Sequence, residues 1–358
     1  MLCLGSVEEA LKNLDAETIV IDNDSGDKTG DLISKYFPKV KYIQNPTNDG
    51  FSKANNIAIN QAQGDYIFLV NPDTVISETC IVSAIQKHES QKKCGILGVR
   101  LIDGTGHFLP ESKINKLTLK VAALKMLGFS KLYYNNYLNE TEEGQTATLV
   151  GAFMCFRKQD YLQLEGLDER YFMYGEDIDL SYQFIKAGFQ NYYLGTENIL
   201  HFKGESTIRD EVYFKRFFES VKLFFTKHYT NSKLMIGVLS FFFLIAKRFK
   251  KSDMLKKANP KTDFHNIYLI GESLLISNKL KAHYTQEVKP LNIEKAQQID
   301  FKNALIIFNA KELEHQQIID FMLKHNDAQN IFRILPQHLE VLIGSDSSTS
   351  QGEVIVLK

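Results

Sequence analysis

Carboxylates and amides gather at four points of this 358-residue chain. "VIDNDSGDKTGD" ends the apolar run Ile19-Val20-Ile21 on Asp22, and "QNPTNDGFSKANN" sets Asn48, Asp49, Gly50 and Asn55 around a turn. "YIFLVNPDT" stops five apolar residues abruptly on Asn71-Pro72-Asp73, and "YFMYGEDIDLSYQFIKAGF" opens a helical pattern with Glu176, Asp177 and Asp179. Such groups can hold a divalent cation through oxygen or take a proton from a hydroxyl nucleophile. The same residues also suit plain structural work. Asp caps a helix, acidic residues in a first turn complement the macrodipole, and Asn and Gly build turns. Taken singly, each cluster fits both readings.

Their placement depends on the elements around them. "SVEEALKNL", "KTGDLISKYF", "FSKANNIAINQA" and a stretch near 77–89 carry helical patterning, while "ETIVID", "KVKYIQ", "DYIFLV" and "GILGVRLI" read as strands. This alternation predicts an α/β fold with a largely parallel sheet and helices on both faces. In such sheets ligands collect beyond the carboxyl ends of the strands, where Asp22 and Asp73 stand. No GxGxxG follows any strand, so a dinucleotide site has little support.

Composition narrows the class. With 44% hydrophobic residues, 24% charged and a net charge of −1, the chain reads as globular with about two domains. It lacks the basic footprint that nucleic acid demands. Cys3, Cys80, Cys94 and Cys155 are far apart and read as reduced cytosolic thiols, and the N-terminus has no basic signal-like region.

Residues 103–150 read as irregular. Beyond the helical "RDEVYFKRFFESVKLFFTKHY", the uncharged run Leu234 to Ala246 is thirteen residues long and precedes Lys247, Arg248, Lys250 and Lys251. A spanning helix needs about 20 apolar residues. The run therefore reads either as an in-plane interfacial helix or as a helix buried against a second domain. From 262 onward, "NIYLIGE", "ALIIFNA", "IFRILP", "LEVLIGS" and "EVIVLK" predict a small separate α/β unit without a catalytic constellation.

Six stretches together carry a family signature: "IVIDNDS", "NDGFSKANN", "LVNPDT", "GAFMCFRK", "FMYGEDIDLSYQFIKAGF" and "ILHFKGEST". In this order, over about 200 residues, the chain resembles glycosyltransferase family 2 and its rhamnosyltransferase-like bacterial branch. The resemblance implies an A-type nucleotide-sugar fold over residues 1–230; it does not cover the last hundred residues, where the patterning alone gives a helical linker at 231–260 and a small α/β domain at 261–358. It implies an inverting transferase that moves a sugar from a nucleoside-diphosphate sugar to a glycan or lipid-linked acceptor in surface polysaccharide synthesis. The setting would be cytoplasmic, with peripheral attachment to the inner face of the cytoplasmic membrane. By the same resemblance Asp22, Asn48, Gly50, Asn55, Asn71 and Glu176 bind substrate. Asp73 and His201 hold Mg²⁺ or Mn²⁺, and Asp177 is the base. Lys203 or Arg209 would add positive charge, and the glycine of "GAFMCF" would open space near the acceptor.

The chain departs from the family at its start. The family begins with a central strand of the type "VSIVIVNYN", and here "MLCLGSVEEAL" matches the helix that follows it. The first strand is therefore expected to be missing from the sheet. A catalytically impaired nucleotide-sugar-binding or scaffold protein is the alternative reading on that account.

Overall fold

A computed structural model describes residues 1–202, 211–250, 264–327, 329–347 and 352–357. Its elements begin with α1 (Leu2–Leu11), β1 (Ile19–Asp22), α2 (Thr29–Tyr36), β2 (Lys41–Gln44) and α3 (Phe51–Gln61). Next come β3 (Tyr66–Val70), the short β4 (Thr74–Val75), α4 (Cys80–Ser90), β5 (Cys94–Ile102) and α5 (Leu119–Met126). Then follow β6 (Glu143–Gln145), β7 (Phe153–Arg157), α6 (Lys158–Gln163), α7 (Glu176–Lys186), β8 (Gln190–His201), α8 (Glu211–His228) and α9 (Ser232–Lys250). The last part holds β9 (Asn266–Ile270), α10 (Leu274–His283), β10 (Val288–Leu291), α11 (Ile293–Ala296) and β11 (Ala304–Asn309). It closes with α12 (His315–Lys324), β12 (Ile331–Leu335), β13 (Val341–Gly344) and β14 (Glu353–Val356).

The α/β class, the flanking helices and the second, smaller α/β unit are those expected. The strand directions are more mixed. The main sheet runs β3-β7-β5-β8-β4, with β6 on β8; only β5 and β8 pair parallel, and the other pairs are antiparallel. A parallel return needs a crossover, usually one helix. The irregular stretch between β5 and β7 is not one, so the chain re-enters the sheet reversed. Strand β5 is buried at all nine positions, which matches its near-continuous apolar run.

Strands β1 and β2 pair parallel in a sheet of their own. Among the described residues, β1 has no partner but β2, and β3 none but β7. The family's first strand is expected between them, and the sheet is divided at that seam.

The second unit is ordered β10-β9-β11-β12-β13-β14, parallel through β12 and antiparallel after it. It shares a core with the first. Leu2, Val75, Ile102, Leu200 and Phe202 are buried together with Ile270, Phe308, Ile318, Met322 and Phe332. Among the described residues helix α9 packs against α5 and α8, so one of its faces is buried, but within the first unit and not against the second domain as the buried alternative had it. Residues 251–260 of the expected linker lie outside the described residues.

A carboxylate fastens the two units as well. Glu78 accepts hydrogen bonds from the backbone N–H of His315 (2.7 Å) and Gln316 (3.0 Å) and contacts His315 Nδ1 at 3.0 Å, at the start of α12. Burial raises its pKa, but the His315 side chain and these two N–H groups outweigh that and bring it down to about 2. A carboxyl held below its unfolded value stabilises the fold above that value and loses the contribution as pH falls through the folded one. Glu78→Gln is therefore expected to cost about 1.5–3 kcal/mol near neutral pH. The melting difference from the parent should narrow as pH drops from about 5 toward 2. A difference that stayed constant over that range would dismiss the charged cap.

Candidate active site

The turn before α3 is built around an amide. Asn23 Nδ2 donates to Asn48 Oδ1 (3.2 Å) and to Gly50 O (3.0 Å), while Asn23 Oδ1 accepts from Asn45 Nδ2 (3.0 Å). Gly50 has φ +85°, and a Cβ there would lie 2.5 Å from Phe172 O, so only glycine fits both the backbone and the space. Asp22 caps this cluster from the end of β1. Its oxygens accept from Ser25 N (2.8 Å), Ser25 Oγ (2.7 Å) and Tyr42 OH (2.6 Å). Burial raises the Asp22 carboxyl, yet Tyr42 and Ser25 bring it below its ordinary value. Asn55 donates its amide to Phe51 O at 2.9 Å, within its own helix.

Asn23 was not singled out from the sequence. Its neighbour Asp22 drew attention, but the hub of the turn is the amide, which both donates and accepts. Asn56 is a second such residue. It bonds Leu167 O (2.9 Å), Leu167 N (3.2 Å) and Tyr161 OH, tying α3 to the loop that leads into α7.

Phe51 joins the turn to the acidic helix. Its N–H donates to Phe172 O (2.7 Å), and its ring is near Gly151, where an added Cβ would meet it at 3.8 Å and Asp177 Cβ at 3.7 Å. Gly151 N donates to Asp177 Oδ2 at 3.2 Å, and Ile178 N to Oδ1 at 2.8 Å. A side-chain methyl at Gly151 would therefore fit in ordinary contact beside Asp177. Burial raises the Asp177 carboxyl, with these two N–H groups opposing. Glu176 is pushed up to about 8, by burial first and by the neighbouring Asp177 charge second, and its buried Oε2 has no hydrogen-bond partner. Helix α7 is held from behind by Asp179, which is fully buried. Asp179 receives Lys227 Nζ (2.7 Å) and Gln183 Nε2 (2.8 Å), with His228 Nε2 at 2.6 Å.

Asp73 and His201 meet where β4 pairs with β8. Thr74 is opposite His201, and Asp73 O accepts from Phe202 N at 2.9 Å. Asp73 Oδ1 and His201 Nε2 are 3.4 Å apart, and His201 Nδ1 is buried without a partner. One carboxylate oxygen and one imidazole nitrogen thus face each other, donor types that divalent cations accept. No set of three or more His, Cys, Asp or Glu side chains forms a metal cage among the described residues. Asn71 ties the loop before β4 to the start of β7, because its N–H donates to Ala152 O (3.0 Å), next to Gly151. Lys203 and Arg209 lie outside the described residues.

The expected residues fall into two connected groups. Asp22, Asn48, Gly50 and Asn55 surround the α3 turn, and Asn71, Asp73, His201, Glu176 and Asp177 stand at the adjoining ends of β3, β8 and α7. Phe51 and Gly151 bridge them. Residues 2–163 match the profile described as Glycosyl transferase family 2. The chain is 27% identical over 210 residues to an N-acetylglucosaminyl-diphospho-decaprenol L-rhamnosyltransferase of Mycobacterium tuberculosis, covering 54% of this chain and 68% of that protein. It is 26% identical over 211 residues to rhamnosyltransferase WbbL of Escherichia coli, covering 55% and 78%. Among solved structures, a mannosyltransferase from Pyrobaculum calidifontis aligns at 12% identity with a TM-score of 0.45, covering 69% of this chain and 70% of that one. The profile match takes in residues 2–163, a little under half of the chain, and over that stretch the chain is similar to glycosyl transferase family 2.

Proposed function

We propose that the protein is an inverting glycosyltransferase that moves a sugar from a nucleoside-diphosphate sugar to a hydroxyl of a glycan or lipid-linked acceptor. The observation that supports this reading is the pair of hydrogen bonds Asn71 N–H to Ala152 O (3.0 Å) and Gly151 N–H to Asp177 Oδ2 (3.2 Å), which joins the loop carrying Asp73 to the start of α7. The α3 turn would take the nucleoside, with Gly50 letting backbone approach closely. Asp177, oriented by two N–H groups, would receive the acceptor proton as the hydroxyl oxygen bonds the anomeric carbon. The bond from that carbon to the diphosphate oxygen breaks, and its electron pair leaves with the diphosphate. One displacement without a covalent intermediate inverts the centre. Glu176, its carboxyl pushed up by burial and by the neighbouring Asp177, would donate a hydrogen bond to substrate in its protonated form. Asp73 and His201 would hold Mn²⁺ or Mg²⁺, which neutralises charge on a departing diphosphate.

The rhamnosyltransferase relatives support a deoxyhexosyl donor and a polyprenol-linked acceptor, hence work at a membrane surface in cell-envelope polysaccharide synthesis. Nucleoside diphosphate release from a panel of nucleotide-sugars, with and without Mn²⁺, tests the reading. Asp73→Ala and His201→Ala should each weaken metal-dependent binding of the nucleoside diphosphate by about tenfold or more, read by calorimetry with and without Mn²⁺. Unaltered metal dependence in His201→Ala would make His201 a packing residue. A second reading, a nucleotide-sugar binder impaired in catalysis, is favoured by the divided sheet at β1 and β3. Tight binding of a nucleotide-sugar with no diphosphate release from any acceptor would select it.

A further inference from the structure

Helix α9 is apolar on both sides. Met235, Ile236, Leu239, Phe242 and Phe243 pack toward α5 and α8. Leu234, Phe241 and Leu244 point away, 74%, 61% and 66% exposed. Their spacing of seven and three residues puts them on one stripe. The turn leaving α5, the helix packed on α9, adds Phe129 and Leu132, at 64% and 42% exposure. Isolated exposed apolar residues are ordinary, but a clustered set marks a contact surface.

Charge says what kind of surface it meets. Residues 112–139 contain exposed Lys116, Lys120 and Lys131, half-buried Lys125 and no acidic residue, while Lys113 is buried and donates to Asn135 O and Leu138 O. Residues 229–252 contain Lys233, Lys247, Arg248, Lys250 and Lys251 and again no acidic residue, in a chain whose net charge is −1. The described part of these two stretches packs together through α5 and α9. The side chains of 245–251 lie outside the described residues, and their charges are read from the sequence alone. A two-fold contact between copies would set this basic patch against itself, and like charges repel. A spanning role is also unsupported: among the described residues no helix is long and apolar enough to cross a membrane.

We propose that the outer stripe of α9, with Phe129 and Leu132, lies in the plane of an anionic lipid bilayer, its apolar side chains at the acyl boundary and the exposed Lys116, Lys120, Lys131 and Lys233 on the headgroups. The surface does not depend on the transferase reading. The test uses the full chain and vesicles of phosphatidylcholine, with or without phosphatidylglycerol, read by co-sedimentation. Binding should require phosphatidylglycerol and weaken with added salt. The triple variant Leu234→Glu, Phe241→Glu, Leu244→Glu should lose about tenfold or more of the partitioning without a change in melting, since all three side chains are exposed. Phe129→Ser with Leu132→Ser, a milder change, should lose a smaller part. Equal partitioning of parent and triple variant overturns the proposal. So does binding indifferent to phosphatidylglycerol, or a dimer seen by light scattering that the triple variant dissolves. Diphosphate release on a water-soluble acceptor should be untouched in both variants, so failure here leaves the transferase reading standing.

Discussion

Asp177→Asn should bind nucleotide-sugar much as the parent does and turn over at about a hundredth of its rate or less. The amide preserves shape and can still receive the N–H groups of Gly151 and Ile178 through its oxygen. It cannot take a proton. The loss should therefore appear in kcat with little change in donor affinity. The pH profile of the parent gives a second reading of the same group. Burial raises Asp177 above its ordinary value of 3.8, so activity should fall on the acid side with a midpoint above that value. Below the midpoint the base is protonated and idle. If the amide variant kept most of its turnover, Asp177 would be a helix-start residue and the base would have to be sought elsewhere.

Phe202→Ala should cost about 3–5 kcal/mol, a large share of a total stability of about 5–15 kcal/mol. Phe202 is 6% exposed and packs in the core shared by the two units, directly after His201. Losing the ring leaves a cavity between β8 and the second sheet, and the backbone bond from Phe202 N to Asp73 O lies at its edge. Two measurements separate a local from a general effect. Denaturant melts give the stability loss, and calorimetry on the remaining folded protein gives Mn²⁺-dependent nucleotide binding. Phe301→Ala, in the same core but packed against Tyr268, Phe321 and His325 of the second unit, should destabilise without changing metal dependence. Equal loss of metal dependence in both variants would mean that unfolding, not His201 placement, is being measured.

Much of this was legible because local patterning and tertiary packing agree. "YIFLV" is both a smooth apolar run and β3, and five short strands of the second unit stand where their β-branched runs are. Strand β10 went unread. Its "VKPL" contains a proline, which is tolerated because β10 is an edge strand. The twelve-residue β8 was also seen only by its end, "ILH", because Glu197 and Asn198 interrupt its pattern where its register with β5 shifts. The site residues were named through their order along the chain, and their joining through Phe51 and Gly151 needed the fold. Glu78 and His315 are 237 residues apart, and no local pattern announces such a pair.

The core shared by the first and last parts of the chain has a consequence during synthesis. Phe202 leaves the ribosome well before its partners Ile270 to Ile334, which follow it by about 70 to 130 residues. At about 5–20 residues per second, the emerging first unit carries an uncovered apolar face at Val75, Leu200 and Phe202 for several seconds or more. That interval is open to chaperones, proteases and neighbouring nascent chains. A chain broken off before the second sheet would keep that face uncovered for good, so exposure of Val75, Leu200 and Phe202 is the physical mark that separates an unfinished copy from a finished one.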